Sequence, residues 1–160
     1  MEKVTVEDIE SRAPGGSEID RRSLAGPLGA ENAALNRFVL DPGEAFTDVV
    51  HTHFDQEEIF YVLEGEATFE TQPKPTADGE TVTVGSHEAI RFAPGEYQQG
   101  RNESDEQVVA LAIGAPKEST KGRLVQPCPA CDSPTLDVVV TEEGMMLECS
   151  ECGEQLQPEM

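Results

Sequence analysis

From Ala34 to Ile113 the chain is cut into short strand-like runs separated by glycine and proline turns, and that punctuation confines it to an all-β sandwich or barrel. Leu35 to Leu40 is the first run, closed by the turn signal Asp41-Pro42-Gly43. Ala45 to His53, Glu57 to Glu64 and Glu66 to Thr71 follow, then a loop from Gln72 to Gly79. Thr81 to Val84, Glu88 to Ala93 and Gln107 to Ile113 complete the set. Before residue 115 no segment carries a helical period of useful length. Residues 1–34 read as an N-terminal arm: Val4-Thr5-Val6 is a candidate entry strand, and Arg12 to Ala30, rich in Gly, Pro and Ser, is expected to pack irregularly over the barrel.

The chemistry concentrates between Gly43 and Gly65, where His51-Thr52-His53 supplies two of the three histidines. Residues i and i+2 of a strand share a face, so the two imidazoles converge. Phe54-Asp55-Gln56 reads as the turn that folds the next strand back, and that strand opens with Glu57-Glu58. Two imidazoles and one carboxylate with coordination positions left open suit Fe(II), Mn(II), Zn(II) or Ni(II). Glu57 and Glu58 cannot both face inward from a regular strand, and periodicity alone does not choose between them.

This stretch resembles the first conserved motif of the cupin superfamily: a glycine, HxH, four residues, Glu, six residues, Gly. His51, His53, Glu58 and Gly65 match position by position; the Gly43 to His51 interval is two residues longer than usual, which a hairpin can absorb. The resemblance selects Glu58 as the carboxylate ligand. It implies a double-stranded β-helix, or jelly-roll barrel, and pairing as a homodimer. The second motif is recognisable in Gly85, Ala93-Pro94-Gly95 and Asn102, but Gln98 stands where the family places a third metal-binding histidine. A glutamine oxygen is a poorer ligand than imidazole for first-row metals, which biases such a site toward Mn or Fe over Zn or Cu. Gln98 therefore either coordinates, orients a metal-bound water or bonds the substrate. Cupins with an incomplete ligand set also use the cavity as a metal-free binding pocket.

The remaining polar and aromatic residues have plainer readings. His87, after Gly85-Ser86, is expected at the surface, although it is the one other imidazole available as a replacement ligand. Arg37, Arg91 and Arg101 are candidate anchors for an anionic substrate, set against pairing with carboxylates in so acidic a chain. Phe60, Tyr61 and Phe92 read as core and pocket wall. No cysteine falls in the barrel, so thiol catalysis there is excluded.

All four cysteines lie near the C-terminus as Cys128-Pro-Ala-Cys131 and Cys149-Ser-Glu-Cys152, 17 residues apart. Between them lies one hairpin's worth of strand, Leu136 to Val140 and Met145 to Glu148, about a turn at Glu142-Glu143-Gly144. That is zinc-ribbon spacing, with Cys128, Cys131, Cys149 and Cys152 closing a structural Zn tetrahedron. The expected organisation is thus an arm (1–34), a cupin barrel (35–116), a polar linker (117–123) and a small zinc ribbon (124–158).

The net charge of −21 disfavours nucleic acid and anionic membranes as partners, since both need a positive surface. In the ribbon, one arginine against eight acidic residues gives −7 from Gly122 on, so a protein contact is the better expectation there. The acid-rich, lysine-poor composition resembles that of salt-adapted (halophilic, haloarchaeal-type) proteins. The opening MEKVTVEDIE lacks the apolar segment of a signal peptide, no apolar run reaches membrane-spanning length, and a cytoplasmic location is expected. Two functions remain open. One is a metal-dependent small-molecule enzyme, a dioxygenase or isomerase, using His51, His53, Glu58 and Gln98. The other is a non-enzymatic binding or sensor cupin whose ribbon meets a protein partner.

Overall fold

The computed structural model describes residues 1–12, 19–141 and 144–157. Two antiparallel sheets face each other. The first has the order β1 (Asp20–Ser23), β2 (Ala34–Leu40), β9 (Val108–Ala115), β4 (Glu57–Glu64) and β7 (Ala89–Phe92). The second runs β13 (Gln155–Leu156), β12 (Gly144–Glu148), β11 (Leu136–Thr141), β10 (Lys121–Leu124), β3 (His51–His53), β8 (Tyr97–Arg101), β5 (Glu66–Gln72) and β6 (Glu80–Gly85). Among the described residues there is no α-helix. This is the jelly-roll barrel expected from the sequence.

Strand alternation builds the core. Along β4 the even positions Phe60 and Val62 are buried, as are Phe38 and Leu40 of β2 and Ala67 and Phe69 of β5. Five phenylalanines meet inside: the Phe46 ring stacks on Phe69 at 5.7 Å, tilts against Phe60 at 4.9 Å and meets Phe38 edge-on at 5.1 Å, while Phe92 lies 5.6 Å from Phe69. Gly100 on β8 is required by this packing, because a Cβ there would run into the Phe69 ring and come within 2.7 Å of Phe46. Gly65, at φ 78° in the β4–β5 turn, leaves no room for a side chain against the Gln107 carbonyl.

Several elements depart from the sequence reading. Val4-Thr5-Val6 is not a strand; Val6–Asp8 forms a 3-10 turn closed by Asp8 N–H on Thr5 O and Ile9 N–H on Val6 O. The arm instead contributes β1, which pairs Arg21 with Phe38 along the free edge of β2. Residues 13–18 of the expected arm lie outside the described residues, as do Glu142, Glu143 and position 158 at the end of the expected ribbon. The run from Ala45 is interrupted: Ala45 bridges Arg101, Phe46 turns inward, and a bend carries the chain to a short β3, which accommodates the two extra residues before His51. The expected linker ends in a strand, because Lys121–Leu124 satisfies its backbone between β3 and β11. The cysteine-bearing hairpin thus continues the barrel's second sheet.

Candidate metal centre and barrel cavity

β3 and β4 bring the three motif residues together. His51 and His53 sit two apart on β3, their rings edge-on at 87° with centroids 5.2 Å apart. Glu58 enters from the opposite sheet at the inward position that precedes Phe60, and Glu57 points out and pairs with Arg91 at 2.5 Å. One ligand atom from each of His51, His53 and Glu58 lies within 4.8 Å of the others, and His53 Nε2 is 3.8 Å from Glu58 Oε2. Gln98 is directly opposite His51 in the β3–β8 register. Its Nε2 donates to Glu58 Oε2 at 3.0 Å and lies 3.3 Å from His51 Nε2, and its buried Oε1 has no partner. The chain therefore gathers His51, His53, Glu58 and Gln98 at one point.

Both imidazoles are tethered from behind. His51 Nδ1 faces Val49 O and Thr47 Oγ1, each at 3.3 Å. His53 Nδ1 meets Ser119 Oγ at 2.9 Å, and Ser119 donates its own hydrogen to Asp55 Oδ1 at 2.7 Å. A hydroxyl that donates to a carboxylate is left to accept, so His53 carries its proton on Nδ1. In both rings Nε2 and its lone pair are directed at the shared centre. Outer-partner fixing of this kind orients imidazoles for metal binding. Asp55 resists the upward push of burial, because hydrogen bonds from Thr120, Ser119 and the Lys121 backbone hold its pKa down to about 2. Ser119 and Thr120 fall in the segment read as linker; no spacing rule assigns them to the site.

Burial sets the charge states. His51 is pushed down to about 4, chiefly by burial and then by its neighbour His53, with the bond to Val49 opposing. Burial likewise lowers His53, against the pull of Asp55. Glu58 is pushed up to about 7 by burial, resisted by Arg21 and by the bond from Gln98.

The centre opens on a cavity of about 400 Å³, lined on the barrel side by Phe38 and Phe46 and closed by Arg21 of the arm and by Lys117, Leu124, Val138 and Met145 of the C-terminal segment. Phe60 and Phe92 are core rather than wall, and Tyr61 faces outward, its hydroxyl 3.3 Å from His87 Nδ1. His87, at φ 67° in an exposed turn, is remote from the centre. Of the three arginines considered as anchors, Arg91 is paired with Glu57, Arg37 with Asp20 at 3.6 Å, and Arg101 donates to Gln99 Oε1 at 2.6 Å. None of these three lines the cavity; Arg21 does. Its β1 neighbours Asp20 and Arg22 pair with each other at 2.8 Å on the opposite face, and alternation turns Arg21 inward. Its sequence signal, two adjacent arginines after a single aspartate, is masked by the Gly/Pro/Ser-rich setting.

The four cysteines form a second cluster, also within 4.8 Å, from two knuckles of the same construction. Cys128 N–H reaches Ser133 O and Asp132 N–H returns to Cys128 O; Cys149 N–H reaches Glu154 O and Gly153 N–H returns to Cys149 O. Asp132 and Gly153 take the positive φ that each knuckle needs, 58° and 75°. Across the knuckles, Cys128 and Cys152 sulfurs lie 3.7 Å apart and those of Cys131 and Cys149 3.6 Å apart.

Residues 36–114 match the family model of the Cupin domain. Among solved structures the chain is similar to a sugar phosphate isomerase of the cupin superfamily from Silicibacter pomeroyi, with a TM-score of 0.73, 17% identity and 94% of each chain covered. It is similar also to a putative sugar phosphate isomerase from Acidithiobacillus ferrooxidans, with a TM-score of 0.65, 18% identity, and 87% of this chain and 81% of that one covered. A third is the polyketide cyclase RemF of Streptomyces resistomycificus, at a TM-score of 0.63 and 29% identity over 81% of this chain and 88% of that one. No curated protein sequence matches it. The barrel formed by residues 36–114 is a cupin domain.

Proposed function

We propose that the barrel binds one divalent first-row metal, Fe, Mn, Ni or Zn, through His51, His53 and Glu58, and acts as a metal-dependent small-molecule enzyme of dioxygenase or isomerase type. The observation that carries this reading is the tethering of both Nδ1 atoms, which leaves two Nε2 lone pairs and one carboxylate aimed at a common centre. The donor set fits a metal: two imidazoles kept neutral by burial, and a carboxylate whose burial calls for a cation. Gln98 fits as well, because a half-turn of its carboxamide exchanges the two end atoms and presents the unpartnered Oε1 to the centre. Bound there, the metal supplies Lewis-acid polarisation or oxygen activation. The chain's own part is to hold the imidazoles by their outer nitrogens, keep the wall of Phe38 and Phe46 dry, and admit a small ligand.

The cysteine cluster is read as a zinc ribbon. Two alike knuckles offer four sulfurs and no open coordination place, so its zinc is structural. A second reading, a non-enzymatic binding or sensor cupin, is favoured by one observation, Gln98 in the position of a third imidazole. Metal content per chain, measured by mass spectrometry on the full-length protein and on His51→Ala, decides between them. Two metals in the wild type, with loss of the barrel metal and retention of zinc in His51→Ala, is the expected result. A single zinc per chain in both proteins would sink the metalloenzyme reading and put the binding module first.

A further inference from the structure

In a chain carrying 32 acidic and 11 basic residues, the barrel cavity reverses the balance. Its charged lining consists of Arg21 and Lys117 against one carboxylate, Glu58. Lys117 is engaged, donating to Ala30 O at 2.7 Å. Arg21 is not fully engaged. Its Nη2 makes a long bond of 3.4 Å to Asn36 Oδ1, its guanidinium lies 5.8 Å from the Phe38 ring centroid, and its buried Nε has no hydrogen-bond partner. Arg12, Arg22, Arg37, Arg91 and Arg123 all have a carboxylate within ion-pair distance; among the described residues Arg21 and Arg101 have none, and Arg101, bonded to Gln99, does not line this cavity.

A buried N–H left without an acceptor is costly, and a guanidinium is a planar fork that matches oxyanions. We propose that Arg21 is the anion anchor of the cavity, binding the carboxylate or phosphate group of a small, negatively charged ligand whose remaining atoms extend toward His51, His53 and Glu58. The volume, about 400 Å³, limits that ligand to a compact one. The arm thereby contributes to ligand selection: the inward face of β1 supplies the cation that the acidic barrel lacks. This inference rests on the cavity being a small-molecule site and does not require the metal.

Isothermal titration calorimetry of the full-length protein tests it, with inorganic phosphate and succinate as probes, neutral succinamide as control, and ionic strength held constant. One or both anions should bind saturably at one per chain, and succinamide should not. Arg21→Gln should weaken the anion about tenfold or more, the loss expected for one charge-assisted contact. Arg21→Lys, which keeps the charge and the fold but loses the fork, should fall between. Arg37→Gln, on the outer face beside Asp20, should match the wild type. Which anion binds better separates a carboxylate ligand from a phosphate one. Failure of both anions to bind the wild type, or binding to Arg21→Gln within about twofold of wild type, overturns the assignment, because a tenfold loss is what the contact is worth. Metal analysis of the same samples keeps the two proposals apart: anion binding through Arg21 in protein lacking a barrel metal sustains the anchor alone, and a metal-loaded wild type indifferent to both anions sustains the metal centre alone.

Discussion

The titratable groups at the centre, His51 and His53 on one side and Glu58 on the other, pull stability in opposite directions with pH. His51, lowered to about 4 from an ordinary 6.5, contributes stability that is present above 6.5 and lost as pH falls through 4. Glu58, raised to about 7 from 4.5, contributes stability that is full below 4.5 and lost as pH rises through 7. His53, lowered by burial as well, adds to the His51 side, so in the metal-free protein the two histidines oppose Glu58 below 6.5, and the decline owed to Glu58 should show between 6.5 and about 7, where it alone still titrates. Thermal melts across this range check it: Glu58→Gln should remove the alkaline decline, and an unchanged decline would discount the buried carboxylate. A divalent metal should reverse the slope above 6.5, because binding needs the ionised carboxylate. The motif residues behind this behaviour were legible in the sequence, since HxH spacing on a strand is a period-two statement and the superfamily resemblance chose Glu58 over Glu57. Arg21 and Ser119 were not. Each reaches the site from a polar stretch without hydrophobic periodicity, and only tertiary placement gives it a role.

At the level of elements, the C-terminal segment braces the centre. β10 pairs Leu124 with His51 and Gly122 with His53, and Ser119 just before it accepts the hydrogen bond from His53 Nδ1–H. Ser119→Ala removes that acceptor while leaving Thr120 bonded to Asp55, so it should lower barrel-metal affinity by about 10–100-fold. Competition against a chelator measures this, and wild-type affinity in the variant would mean that packing alone orients His53. Truncation before Ser119 would strip off both the brace and the hydrogen-bond acceptor, so it is not a neutral way to isolate the barrel. The long runs were readable because they alternate: β4 was located to the residue as Glu57–Glu64, and β2, β5, β6 and β9 to within one or two positions. β1, β8 and β10 were missed as strands for a common reason. Asp20–Ser23, Tyr97–Arg101 and Lys121–Leu124 are short and polar, and hydrogen bonds to neighbouring strands make them strands, not their own propensity.

For the whole molecule the dominant quantity is the charge of −21. Mutual repulsion among so many carboxylates works against the compact state, and salt shortens its reach from about 10 Å at 0.1 M to about 3 Å at 1 M. The melting temperature should therefore rise by several degrees as potassium chloride is taken from about 0.1 M to 1 M. A flat or falling curve would separate the acidity from salt adaptation. The sheet that runs unbroken from β6 through β3 to β13 carries a further consequence. β3 has a neighbour on its outer side because the hairpin clasped by the cysteines is folded against it through β10. Remove that clasp and the histidine strand becomes a raw sheet edge with unpaired amides, the kind of surface on which chains add to one another. A metal held by the four thiols would thus guard against self-association as much as fasten the hairpin, at the same strand that carries both imidazoles.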